Sequence, residues 1–261
     1  MAKTTGRPVK LILLGTGTSQ GVPVIGCDCT VCTSSDPHDN RLRTAALLTH
    51  GNTHILIDAG PDLRQQMLRA RVRHLDAILL THEHNDHIIG LDDIRPFNFR
   101  SGHPMSVYAQ ARVADDVRRR FEYIFADPIP GLPRIELKTI DQHTPLFIHN
   151  LTIQPVGIMH GRLPILGFRF GDLTYVTDAK FVSPEETAKI AGTKYLVVNA
   201  LQLRSHPTHF NLGEALDFIE TVRPQHAWII HISHEMGLAA EIEELLPPGV
   251  SFGYDGLEIQ W

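Results

Sequence analysis

One stretch constrains this chain more than any other: Leu79-Leu80-Thr81-His82-Glu83-His84-Asn85-Asp86-His87. An apolar strand runs straight into four side chains able to ligate a metal, where a loop can fold them around cations. His82 and His84 alternate in the same direction off an extended segment, while Asp86 and His87 can turn toward a second ion. Each ion takes about four to six donors, water included, so other segments must supply the rest. Three apolar runs end on suitable residues: Gly157-Ile158-Met159-His160, Tyr175-Val176-Thr177-Asp178 and Trp228-Ile229-Ile230-His231. Singly, each also reads as a hydrogen-bonded His or a capping Asp. Their recurrence at strand ends favours ligation.

Short apolar runs alternate with amphipathic stretches along all 261 residues, and no linker or charge block divides them, so one domain over 1–261 is expected. Strands are predicted over 9–14, 45–49, 54–57, 77–81, 106–109, 151–156, 167–170, 173–177, 195–198 and 227–230. A terminal hairpin is predicted from 252–254 to 257–260 across Asp255-Gly256, a favoured two-residue turn. Helices are predicted over 62–70, 113–125, 184–190, 212–222 and 238–246, with Ser183 capping the third and Asn211 the fourth. Strands mixed with helices in both halves suit two packed sheets with helices outside. No sequence repeat links the halves.

Asp58, closing the apolar run His54-Ile55-Leu56-Ile57, suits a carboxylate that orients a ligand His through its other ring nitrogen; a plain turn before Ala59-Gly60 is the alternative. Cys27, Cys29 and Cys32 offer three soft thiolates of the kind that hold zinc in a closed tetrahedral site. His234, three residues past His231, is the candidate fourth ligand. Redox chemistry competes, but a thioredoxin-like context is absent. His209, in a loop ahead of a helix, can serve as a general acid, whereas His206 reads as a surface residue. Arg95 can reach a phosphate bidentately or pair with Asp92 or Asp93. The run Thr16-Gly17-Thr18-Ser19-Gln20-Gly21 lacks a P-loop lysine and a dinucleotide fingerprint, so it reads as a tight connection.

Composition excludes several classes. A 43% apolar and 20% charged chain is neither disordered nor fibrous. Its net charge of -5 gives no footprint for general nucleic-acid binding. The polar opening 1–8 and the short apolar run after it carry no export signal, no stretch is long enough to span a membrane, and the three cysteines crowd together. A cytoplasmic location is therefore expected.

With His82, His84, Asp86, His87, His160, Asp178 and His231 in this order, the chain resembles the metallo-β-lactamase superfamily over essentially its whole length. That resemblance implies an α/β fold, the αββα sandwich of two packed mixed sheets flanked by helices. It also implies that His82, His84 and His160 hold one ion, Asp86, His87 and His231 the other, and that Asp178 bridges them. Leu14-Gly15-Thr16-Gly17-Thr18-Ser19-Gln20-Gly21-Val22-Pro23, the cysteine cluster and His231-Ile232-Ser233-His234 are similar to the phosphoribosyl 1,2-cyclic phosphate phosphodiesterases of the carbon-phosphorus lyase pathway. In that family the cysteines and the second His of the final motif bind structural zinc, and a His matching His209 assists catalysis. The loop before His209 departs from the family, and Asn199 stands where relatives often carry an acidic residue.

The implied activity is hydrolysis of a small cyclic phosphodiester by metal-hydroxide attack on phosphorus, with Asp86 and His209 as catalytic residues. Two divalent catalytic ions, Mn or Zn, and one structural Zn are the expected cofactors. The expected partners are that small molecule and a second copy of the chain, with no membrane. Ribonuclease Z shares these ligands but carries a long arm where only 161–177 lie here. A non-catalytic zinc-containing binding module is the alternative of another class, and such proteins lose ligands that this chain keeps.

Overall fold

Within the strand Thr53–Ile57, Ile55 and Ile57 face one core and Leu56 another, and all three are fully buried. A strand covered on both faces reads as a continuous apolar run rather than an alternating one. That double burial sets the architecture seen in the computed structural model, which describes residues 8–126 and 130–261. The opening 1–7, most of the polar stretch considered above, lies outside the described residues.

The first half supplies β1 (Val9–Gly15), β2 (Ala45–His50), β3 (Thr53–Ile57), β4 (Ala77–Leu79), β5 (Met105–Ala109) and β6 (Ile135–Thr139). The second supplies β7 (Leu146–Ile148), β8 (Leu151–His160), β9 (Leu163–Phe170), β10 (Leu173–Tyr175), β11 (Tyr195–Asn199), β12 (His226–Ile230) and β13 (Val250–Phe252), and β14 (Glu258–Gln260) closes the chain. Two seven-stranded sheets result, ordered β14-β1-β2-β3-β4-β5-β6 and β13-β12-β11-β10-β9-β8-β7. In each, an antiparallel meander gives way to parallel strands. The halves thus share a topology that their sequences do not advertise. The core between the sheets holds Leu11, Leu13, Ile55, Leu79, Phe168, Tyr175, Val197 and Ile230. The αββα sandwich inferred from the ligand pattern is the fold of this chain.

Helices cover the outer faces: α1 (Leu63–Arg69), α2 (Asn85–Ile88), α3 (Arg95–Ser101), α4 (Ala111–Arg120), α5 (Glu122–Phe125), α6 (Pro184–Lys189), α7 (Leu212–Val222) and α8 (Ala239–Glu243). Asn211 makes a full capping box with Glu214, and Ser183 accepts from the Glu186 amide. Among the described residues no helix is long and apolar enough to cross a membrane.

Two readings need correction, and four elements were not foreseen. The terminal hairpin does not form, because β13 pairs with β12 in one sheet and β14 with β1 in the other. Asp255 decides this: its buried carboxylate accepts from Thr16 N at 2.9 Å, Thr16 Oγ1 at 2.8 Å and Leu42 N at 2.9 Å, pinning the turn to the first sheet. The helix expected over 113–125 breaks at Phe121, which leaves helical geometry with φ -113° and is only 4% exposed. Strands β6 and β7 and helices α2 and α3 were not foreseen: β6 is an edge strand with no fully buried residue and with Glu136 and Thr139 exposed, and the other three span three to seven residues.

Candidate metal centre

The parallel strands of both sheets deliver the candidate ligands at their C-terminal ends. Asp58 follows β3, His82 follows β4, Asp178 follows β10 and His231 follows β12, while His160 ends the long β8. Asp58, Asp178 and His231 have φ of 63°, 56° and 56°, a left-handed conformation costly for residues with a Cβ. Such strain persists where the surroundings over-determine it, and it concentrates at functional sites. After His82 and His84, α2 turns Asp86 and His87 back toward the sheet. Gly60 lets it come close, since a Cβ there would sit 2.0 Å from Asp86 O.

The site atoms converge in overlapping groups. Nitrogens of His82, His84 and His160 lie within 4.8 Å of one another, as do single donor atoms of Asp86, His87 and His231, and of His82, His87 and Asp178. Asp178 stands between them: Oδ1 is 3.0 Å from His231 Nε2 and Oδ2 is 3.4 Å from His87 Nε2. Behind His87, Asp58 Oδ2 is 2.7 Å from Nδ1 and also accepts from Thr81 Oγ1 at 2.9 Å, while Asp58 Oδ1 accepts from Thr81 N at 2.8 Å. His160 Nδ1 donates to Thr208 O at 2.8 Å, which turns Nε2 inward.

The inner nitrogens are not saturated by the protein. His87 Nε2 and His231 Nε2 are buried without an aligned hydrogen bond, although carboxylate oxygens lie within 3.4 Å. Buried imidazoles left this way suit coordination of a cation, so the residues fit a metal pair. The electrostatics agree. Burial would raise the Asp178 carboxyl, but the nearby His231 and His87 rings, with the hydrogen bond from His209, hold it well below the usual range. Burial would lower His231, yet Asp178 and Asp86 lift it to about 9. Carboxylates so depressed are ready anions for divalent ions.

His209 completes the cluster. Its Nε2 is 3.1 Å from Asp178 Oδ1, and its ring lies 4.5 Å from His160 and 4.9 Å from His231. Burial lowers this imidazole to about 4 despite the hydrogen bond to Asp178. His206 stands one layer back, with Nδ1 3.1 Å from His209 Nδ1, and Thr208 Oγ1 is 3.0 Å from the same atom.

A second constellation lies in the loop after β1. Cys27, Cys29 and Cys32 Sγ are 3.3, 3.4 and 3.5 Å from His234 Nδ1. A tetrahedral zinc with bonds of about 2.3 Å to sulfur and 2.0–2.1 Å to nitrogen separates S and N by about 3.5 Å, so this donor set fits such an ion. No pair of the three cysteines forms a disulfide.

Residues 53–232 match the family described as beta-lactamase superfamily domain. The chain belongs to the β-lactamase superfamily. Within it, a solved diphosphatase of the PhnP family shares 36% identity at a TM-score of 0.93, covering 98% of both chains. Zinc-bound PqqB from Methylobacterium extorquens shares the fold at 20% identity and a TM-score of 0.80, covering 96% of this chain and 99% of its own. An octanoyltransferase from Porphyromonas gingivalis is 44% identical over 253 residues, 96% of this chain, and the chain spans 51% of that relative's length.

In this β-lactamase-superfamily chain, several residues that hold the site were missed from sequence. Arg112 pairs with Glu83 and donates to Pro164 O at 2.6 Å, and Arg120 donates to Asn85 Oδ1, so α4 grips the two non-ligand positions of the histidine motif. A count of basic residues on the amphipathic helix was the only signal available. Asn199 brackets the residue after Asp178, accepting from Ala179 N at 2.6 Å and donating to Ala179 O at 3.0 Å. A carboxylate could not make the second bond. Arg95 is held by Asp92, whose other oxygen accepts from Tyr123 Oη at 2.6 Å, so reaching a phosphate would require breaking that pair.

Proposed function

We propose that this PhnP-like hydrolase opens a small cyclic phosphodiester, of the class of 5-phosphoribosyl 1,2-cyclic phosphate, in the reducing cytoplasm. One observation carries the reading: seven donors form two clusters joined at Asp178, with His209 Nε2 3.1 Å from that carboxylate. His82, His84 and His160 would hold one divalent ion, Asp86, His87 and His231 the other, and Asp178 both; Mn and Zn suit such mixed donors. Bound there, the ions supply Lewis acidity and water made acidic enough to attack at neutral pH. Cys27, Cys29, Cys32 and His234 would hold a structural zinc.

The chain's own groups then manage the proton. His209 presents Nε2 to the site and Nδ1 to His206 and Thr208. A neutral His209 ring takes up at Nε2 the proton shed by the attacking water and returns it to the departing sugar oxygen, while Nδ1 is held by Thr208 Oγ1. Asp58 and Thr81 fix the His87 ring while this happens. The turn 161–162 between β8 and β9 leaves no room at that point for a nuclease arm, consistent with a small substrate.

A second reading, favoured by the likeness to a diphosphatase, is cleavage of a diphosphate linkage, whose phosphate leaving group departs without an acid. His209→Ala separates them. Turnover of the cyclic ribose phosphate is expected to fall by roughly 10² to 10⁴ fold. Loss on bis(p-nitrophenyl) phosphate should be far smaller, with metal content unchanged. Equal losses on both would remove His209 from proton transfer. Turnover of a dinucleoside diphosphate without turnover of the cyclic ester would establish the second reading. An octanoyl thioester in the same panel is expected to be inert.

A further inference from the structure

At the opposite end of the sandwich lies a second imidazole and carboxylate cluster that the catalytic reading does not use. His54 is the second residue of β3 and Asp76 immediately precedes β4, the same parallel strands whose other ends carry Asp58 and His82. Four residue steps along the strand lead from His54 to Asp58, about 13 Å at the usual rise. Donor atoms of His54, His74 and Asp76 lie within 4.8 Å of one another. His54 Nδ1 and His74 Nε2 are 2.9 Å apart, with their rings edge to face at 4.2 Å. His74 Nε2 is 3.9 Å from Asp76 Oδ2 and 2.7 Å from Asn52 O. From the other sheet, His149 in the turn between β7 and β8 brings Nε2 to 3.4 Å from Asp76 Oδ1. His149 holds a left-handed φ of 52° in that turn.

We propose that His54, His74 and Asp76, with His149 from the facing sheet, form a further divalent metal site that ties the two sheets together at the end remote from the catalytic centre. Three imidazoles with one carboxylate form a donor set suited to Zn, Ni or Cu rather than to Mg or Ca. Nitrogens 2.9 Å apart are near the separation of about 3.3 Å that a tetrahedral ion with 2.0–2.1 Å bonds imposes, so small ring rotations admit it. Asp76 Oδ2 is anchored by the His54 amide at 2.7 Å, so one ligand is preset by the strand pair itself. An ion bound only by the folded state raises its stability. Here it would bridge Asp76 of the first half and His149 of the second.

The test uses the full chain as purified, with its metal content measured before zinc is added. Zinc alone is titrated into wild type, His74→Ala and His149→Ala while heat and melting temperature are followed. Wild type is expected to take up one more equivalent than His74→Ala and to gain roughly 4 °C or more in Tm. His74→Ala should show neither effect and should keep its phosphodiesterase turnover. His149→Ala should bind at least tenfold more weakly and lose most of the Tm gain, because the cross-link between sheets is gone. Equal stoichiometry and equal Tm response in wild type and His74→Ala would overturn the site. A Tm gain fully kept in His149→Ala would overturn the bridge between the sheets. His54→Ala with His74→Ala repeats the comparison should either single variant fold poorly.

Discussion

Asp58 shows how little freedom a single side chain has here. It is fully buried in a left-handed conformation, and both oxygens are spent on Thr81 and His87. Burial raises its carboxyl, opposed by His87 and Thr81, so its value to the site lies in orientation as much as in charge. Removing it strands the His87 Nδ1 and the Thr81 amide in a dry interior. Asp58→Ala is therefore expected to weaken binding of divalent metal by 10 to 100 fold, as read by competition with a chelator. Unchanged affinity would show that His87 keeps its orientation by packing alone. An Asp closing an apolar strand was readable in sequence as a partner for a histidine. Its bonds to Thr81 were not, because they span 23 positions and depend on β3 lying beside β4.

At the scale of elements, the helical turn α2 is the part most exposed to small errors. It rests its Asp86 carbonyl against Gly60, and a methyl group there needs space the backbone does not have. Gly60→Ala must shift Asp86 by about an ångström, a displacement that can cost on the order of 10² in turnover. The expected result is that loss in kcat with a folded circular dichroism spectrum; wild-type turnover would mean that α2 relaxes without moving its ligands. Elements that declare their own ends were legible. The helix α7 begins where Asn211 and Glu214 cap it and ends at Val222, as the pattern said. Elements whose ends are set by distant partners were not. Asp255-Gly256 has the residues of a hairpin turn, but Thr16 and Leu42, more than 200 positions away, take its carboxylate. Phe121 likewise stops α4 by burying its ring, a choice made by the core rather than by helix propensity.

Across the whole molecule, the two sheets repeat one topology and meet at the ligand cluster, so each half is incomplete without the other. The superfamily was legible because the ligands follow apolar strands in a fixed order; the matching topologies were not, because strand order leaves no imprint on composition. The cysteine loop joins the same scheme from outside. It hangs from β1, and His234 reaches it from the segment after β12, so an ion there spans the chain. Cys29→Ser is expected to lower Tm by on the order of 10 °C while folded protein keeps its turnover, since a structural zinc contributes folding free energy directly. Lost turnover at an unchanged Tm would move that ion to the chemistry. The pairing of β14 with β1 carries a consequence of a different kind. Val9 and Trp261 exchange amide and carbonyl at 3.0 Å in both directions, and Lys10 reaches Glu258 at 2.8 Å. During synthesis β1 has no neighbour on that flank until β14 has been made, and Lys10 and Glu258 lie 248 positions apart, so the first sheet is sealed late in the making of this domain.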